Sequence, residues 1–222
     1  MCDALATSSE HVPPKCLFPE RKDLPYGIDL RKNLLKVPSC DAHNSQKSHD
    51  DEYFLYVLSG NFQINEVGRN LYRTKVRRAI RRNSSVLGKI ASTATPVNFK
   101  DPVSGNIVNS VAHELDPNRF NTMIDRLGRA IYFFHFKEKW TYSIKYQAEF
   151  FFATVNQSDE ANSRLKEITK QADEWFSNVA YYGENPEVFK YQALETDNSK
   201  KMRLHFYEGC KLLLIFNSQQ QL

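Results

Sequence analysis

Phe54, Leu55 and Leu58 recur at helical spacing in SCDAHNSQKSHDDEYFLYVLSG, the first stretch of the chain whose apolar pattern predicts a helix. Ser39 or Asp41 can cap its start and Gly60 ends it. Upstream, residues 8–33 carry Pro13, Pro14, Pro19, Pro25 and Gly27, which break any helical run, so loop with short extended pieces is expected. NLLKVPSC, between the two, is a short strand candidate. Residues 1–60 therefore read as a loop, strand and helix module.

Downstream, a second helix is expected over 68–82, followed by a hairpin within PVNFKDPVSGNIVNSVAHEL. Asp116-Pro117 is a strong helix start for DPNRFNTMIDRLGRAIYFF, with Asp as cap and Pro at the first helical position. WTYSIKYQAEFFFATV is aromatic and β-branched and predicts strand, whereas DEANSRLKEITKQADEWFSNV has helical period and an acidic first turn. VFKYQALE, KMRLHFYEG and CKLLLIFN predict an antiparallel meander. The fold class expected is α+β, with helices packed on an antiparallel sheet over residues 61–222.

Composition narrows the class. At 222 residues, with 41% hydrophobic side chains, 15 Phe and 11 Tyr, the chain can bury an aromatic core. No apolar run approaches the roughly 20 residues that span a bilayer, and the N-terminus lacks a basic-then-apolar leader, so a cytoplasmic protein without a membrane partner is expected. Cys2, Cys16, Cys40 and Cys210 are too sparse for a disulfide framework, leaving reduced thiols or a metal site. The net charge of +4 is mild, but residues 69–90 hold eight Lys/Arg and no acid, a local footprint for a polyanion. Arg69, Arg73, Arg77 and Arg81 follow at spacing four, and Arg78 and Arg82 widen the stripe. A solvated face and a phosphate contact are both compatible with it.

The candidate chemistry lies near the start. SSEHVPPKCLFPE places Glu10 beside His11 ahead of two prolines, and about thirty residues later the chain reads C-x-x-H-N-x-x-K from Cys40 through His43, Asn44 and Lys47. Over about a quarter of the chain this order resembles the HNH nucleases, which have the ββα-metal fold. The resemblance implies an N-terminal HNH-like module over residues 1–60 and hydrolysis of nucleic-acid phosphodiesters, DNA rather than RNA, with Mg²⁺ or Mn²⁺. It assigns His11 as general base, Glu10 and Asn44 as metal ligands, Lys47 as phosphate contact and Asn33 as the central Asn. It also makes Cys40 and His43 a zinc half-site. The residue types suit that chemistry: an imidazole titrating near neutrality accepts a water proton, and hard oxygen donors suit Mg²⁺.

Two departures from the family stand out. Asn33 precedes Cys40 by seven residues, where relatives have five. The other half of a zinc site would need Cys2 and a ligand before it, so structural zinc is expected to be absent, completed by Cys16 or water, or lost with an upstream segment. His49, Asp50, Asp51 and Glu52 read as a charged outer face, His113, His135 and His205 as buried or half-buried structural histidines, and the aromatic clusters of the second half as sheet core. The expected function is a divalent-metal-dependent nuclease binding substrate through Lys47, Arg73, Arg77 and Arg81, serving as an anti-phage or mobile-element effector with a partner protein. The competing readings are an inactive nucleic-acid-binding protein with an HNH-derived fold, and a protein-interaction module.

Overall fold

The computed structural model describes residues 5–40, 48–81, 88, 92–100, 106–152, 158–197 and 199–218. The first strand, β1 (Ser8–His11), pairs antiparallel with β2 (Lys36–Ser39), setting Glu10 opposite Val37 and His11 opposite Lys36. Between them the proline-rich chain makes only short 3-10 turns, at Lys15–Leu17 and Arg21–Asp23. Helix α1 (Ser48–Ser59) follows. Ser39 is a β2 residue and so does not cap that helix; alternating burial across Val37 and Ser39 places it in the ribbon. The alternative cap, Asp41, lies outside the described residues, as do residues 42–47.

The predicted 68–82 helix is three segments in series: α2 (Glu66–Leu71), a π-helical stretch (Tyr72–Val76) and α3 (Arg77–Arg81). Asn65 caps it, accepting a hydrogen bond from the Gly68 amide. The hairpin is β3 (Thr95–Lys100) with β4 (Ile107–Ala112). Helix α4 (Pro117–Phe136) starts as its sequence predicts, with the Asp116 side chain accepting from the Arg119 amide and Pro117 at the first helical position. Then come β5 (Ile144–Ala148), α5 (Ser158–Phe176), β6 (Tyr182–Asn185), β7 (Phe189–Thr196), β8 (Ser199–Phe206) and β9 (Cys210–Phe216).

The chain is thus mixed α and β with antiparallel sheets, the largest ordered β5-β9-β8-β7-β6. Its middle strands are covered on both faces. Because side chains alternate along a strand, Met202, Leu204 and Phe206 of β8 and Leu212, Leu214 and Phe216 of β9 point one way, toward α1 and α4. Phe54 meets Phe206 edge to face at 5.5 Å, and Tyr132 lies 4.8 Å from Phe216. Gly128 lets α4 sit close to the sheet, since a Cβ there would meet Ile144 Cδ1 at 3.0 Å. On the opposite face Leu213 joins Ala172 and Phe176 of α5 in a second, smaller cluster.

Helix α1 is enclosed from Tyr53 through Ser59. Its core also takes in Val12, Leu17, Phe18 and Val37, so the N-terminal segment and the sheet share one apolar interior. Polar contacts stitch the same join: Tyr207 Oη donates to Leu17 O at 2.6 Å, and Asn185 Nδ2 donates to Lys32 O at 2.9 Å. Among the described residues no helix is long and apolar enough to cross a membrane.

Candidate active site

The β1–β2 ribbon ends against two helices. Adjacent strand residues face opposite sides, yet Glu10 and His11 both border one cavity of about 30 Å³, because it lies where the ribbon gives way to Val12 and Pro14. That is room for a water molecule or a small ion. Asp50, Asp51 and Phe54 of α1 close one wall; Met123, Arg126, Leu127 and Ala130, one face of α4, close the other.

Ser39 Oγ donates to Glu10 Oε2 at 3.3 Å across the ribbon, which orients the carboxylate. His11 is half-buried, and its pKa is lowered from the usual value, first by burial and then by the charges of Lys36 opposite it and of Lys15. At neutral pH the imidazole is therefore uncharged and able to take a proton.

Asp50 and Asp51 do not form a charged outer face. Both are half-buried, because α4 packs over the first turn of α1. Asp50 bridges to α4 through two ion pairs: Oδ1 accepts from Arg119 Nε at 2.9 Å and Oδ2 from Arg126 Nη1 at 3.0 Å. Arg119 also lies over the Tyr53 ring, 4.6 Å from its centroid, and Tyr53 Oη accepts from the Asp116 amide at 3.0 Å. These contacts fix the start of α4 against α1 and bring Arg126 to the cavity.

The other expected site residues are distributed differently. Asn33 is exposed on the turn before β2, with a φ of 49° in the left-handed region that Asn tolerates, and it does not line the cavity. Cys40 follows β2 and is half-buried. His43, Asn44 and Lys47 lie outside the described residues. Cys16 is half-buried, its thiol donating to Asp51 O at 3.4 Å and its pKa pushed up to about 12, chiefly by burial. Among the described residues, no group of three or more His, Cys, Asp or Glu is placed to hold a metal ion.

The basic stripe is less uncompensated than its acid-free window implies. Glu66, three residues ahead of that window, pairs with Arg73 and lies 3.7 Å from Arg69; Asp23, from the N-terminal turns, takes Arg78 at 2.9 Å. The Lys75 ammonium is turned inward onto Cys16 O at 3.0 Å. Arg77 and Arg81 are exposed, without an ion pair to any described acid. The π-helical stretch between Arg73 and Arg77 also widens the turn, so spacing four no longer keeps the four arginines in register.

His205 is buried, and His113 and His135 are half-buried beside aromatic rings: Tyr56 Oη sits 3.1 Å from His113 Nε2, and His135 stacks edge-on to Tyr182. The site residues that sequence reasoning missed are Asp50 and Arg126. A half-buried Asp-Arg pair separated by 76 residues leaves no local signal. In comparisons with family models, curated proteins and solved structures, nothing matches this chain.

Proposed function

We propose that the chain is a divalent-metal-dependent nuclease, its first 60 residues forming an HNH-like ββα-metal module that hydrolyses phosphodiesters, in DNA rather than RNA. The observation that carries this reading is the pairing of a neutral, half-buried His11 with Glu10 on the wall of one cavity at the end of an antiparallel ribbon. The order ribbon then helix supports it as well.

Glu10, oriented by Ser39, and Asn44 would hold Mg²⁺ or Mn²⁺, a donor set of hard oxygens suited to either ion. Such an ion neutralises charge that grows on phosphoryl and leaving oxygens. His11 accepts the proton of the attacking water, a task that its lowered pKa permits at pH 7. Lys47 contacts an adjacent phosphate, and Arg77 and Arg81 offer exposed charge for the flanking backbone.

Nicking of supercoiled plasmid decides the matter. Cleavage is expected with Mn²⁺ or Mg²⁺, none with EDTA, and none from His11→Ala. Cleavage that survives His11→Ala would remove the base assignment. Metal-independent binding without cleavage would leave a nucleic-acid-binding protein that has the fold and lacks the chemistry.

A further inference from the structure

We propose that Arg126, a residue of the C-terminal region, is a phosphate-binding residue of the Glu10–His11 cleft, held by Asp50 until a backbone phosphate takes the carboxylate's place. The nature of the ligand, a nucleic-acid phosphate, rests on the nuclease reading above.

Asp50 faces two guanidinium groups, and Glu10 and Asp51 also border the cavity, so among the described lining residues Arg126 is the one cation that can meet an anion there. The two arginines are not equivalent. Arg119 has a side chain only 22% exposed, stacks on Tyr53 and meets Asp50 through Nε, so it belongs to the packing of α1 against α4. Arg126 is 36% exposed and borders the cavity together with Glu10 and His11. A guanidinium has five donors. Among the described residues, Arg126 uses one, Nη1 to Asp50 Oδ2, leaving the rest for an incoming group.

Exchange costs little on either side. A half-exposed ion pair stabilises a fold only weakly. When Arg126 turns to a phosphate, Asp50 keeps Arg119 on its other oxygen, so no carboxylate is stranded. A phosphate offers the fork-like acceptor geometry that guanidinium favours.

The test uses the full chain and a fluorescein-labelled 20-base-pair duplex in EDTA, titrated by anisotropy across KCl concentrations. Arg126→Gln is expected to weaken binding several-fold and to reduce the slope of log K against log salt by about one. Arg126→Lys, which keeps the charge, should restore most of it. Asp50→Asn is expected to tighten binding, the opposite sign to Arg126→Gln. A purely structural ion pair predicts the same sign for both, together with lowered denaturation midpoints. An unchanged slope in Arg126→Gln, weaker binding in Asp50→Asn, or no duplex binding by the wild type would each overturn the proposal. Nicking by the wild type with Mn²⁺ is scored separately, so a failed nuclease reading and a failed Arg126 assignment give different results.

Discussion

Two places in this molecule gather the same four residue types, a histidine, two acids and an arginine. At the end of the β1–β2 ribbon they are His11, Glu10, Asp50 and Arg126; on the back of the large sheet, beneath α5, they are His205, Glu149, Asp173 and Arg203. The second set is the tighter. Arg203 grips Glu149 through Nε at 2.9 Å and Nη2 at 2.6 Å, with side-chain exposures of 3% and 2%, and reaches Asp173 through Nη1 at 2.6 Å. At the ribbon the corresponding pair, Asp50 and Arg126, is 24% and 36% exposed and borders a cavity. Side-chain inventory therefore does not distinguish a site from a strut. Access does: one cluster borders a cavity where partners can exchange, while in the other the Arg203–Glu149 pair is closed off and only Asp173, 56% exposed, lies at the rim.

Cutting each cluster should have opposite consequences. Arg203→Met strands the buried Glu149 carboxylate without its partner, a loss of about 3–5 kcal/mol in unfolding free energy by the usual cost of breaking a buried pair. Urea denaturation measures it, and a loss under about 1 kcal/mol would mean that Glu149 finds water or another donor. His11→Ala touches a half-buried loop-side residue, so stability should change by no more than about 0.5 kcal/mol. Metal-dependent cleavage should fall about 10²–10⁴-fold, the range for losing a general base. If both variants lose stability alike, the contrast between site and strut collapses.

The histidines sharpen the contrast by pH. His205 is buried between Lys190 and Lys211, its cross-strand neighbours, with Arg203 two residues before it and the Tyr181 ring edge-on. Burial first, and then those cations, hold its pKa down to about 3, with only Asp173 acting the other way. Its Nε2 has no hydrogen-bond partner among the described residues. Between pH 3 and its ordinary 6.5 the unfolded chain binds a proton there that the folded chain refuses. Stability from this group is thus full above 6.5 and is lost as pH falls toward 3. His205→Phe should shrink the difference in unfolding free energy between pH 7 and pH 4 by about 3 kcal/mol, read from paired urea curves. An unchanged difference would mean that the folded state accepts the proton.

What the sequence disclosed follows the range over which each signal acts. Asp116-Pro117 announced α4, because cap and first turn are neighbours in the chain. The strands of the meander announced themselves by short apolar and aromatic runs, although β6, with three of its four residues exposed, carried no such run and went unread. Glu10 and His11 stood out as an adjacent pair, and the structure brings both to one cavity. Asp50 and Arg126 did not stand out: a run of charges at a helix start looks solvated until a helix 76 residues away packs over it. The arginine stripe read as free of acids for the same reason, since Asp23 reaches Arg78 from 55 residues upstream.

The smallest effect tests whether His11 is the group whose protonation sets the rate. As a general base it must be neutral, so cleavage should fall as pH drops through its pKa, and the acid limb of kcat/KM should lie below the ordinary 6.5. Burial is the first cause of that lowering and remains in any surface variant. Lys36, directly opposite on β2 and exposed, is the second. Lys36→Gln removes one repelling charge, so the acid limb should move to higher pH while staying below 6.5. Because Lys36 is exposed, added salt should reduce the difference between the two chains. His205→Phe should leave the limb where it was, its cluster being closed to substrate. A limb indifferent to Lys36 but displaced by His205→Phe would mean that folding stability, rather than proton transfer at the ribbon, limits the rate in acid.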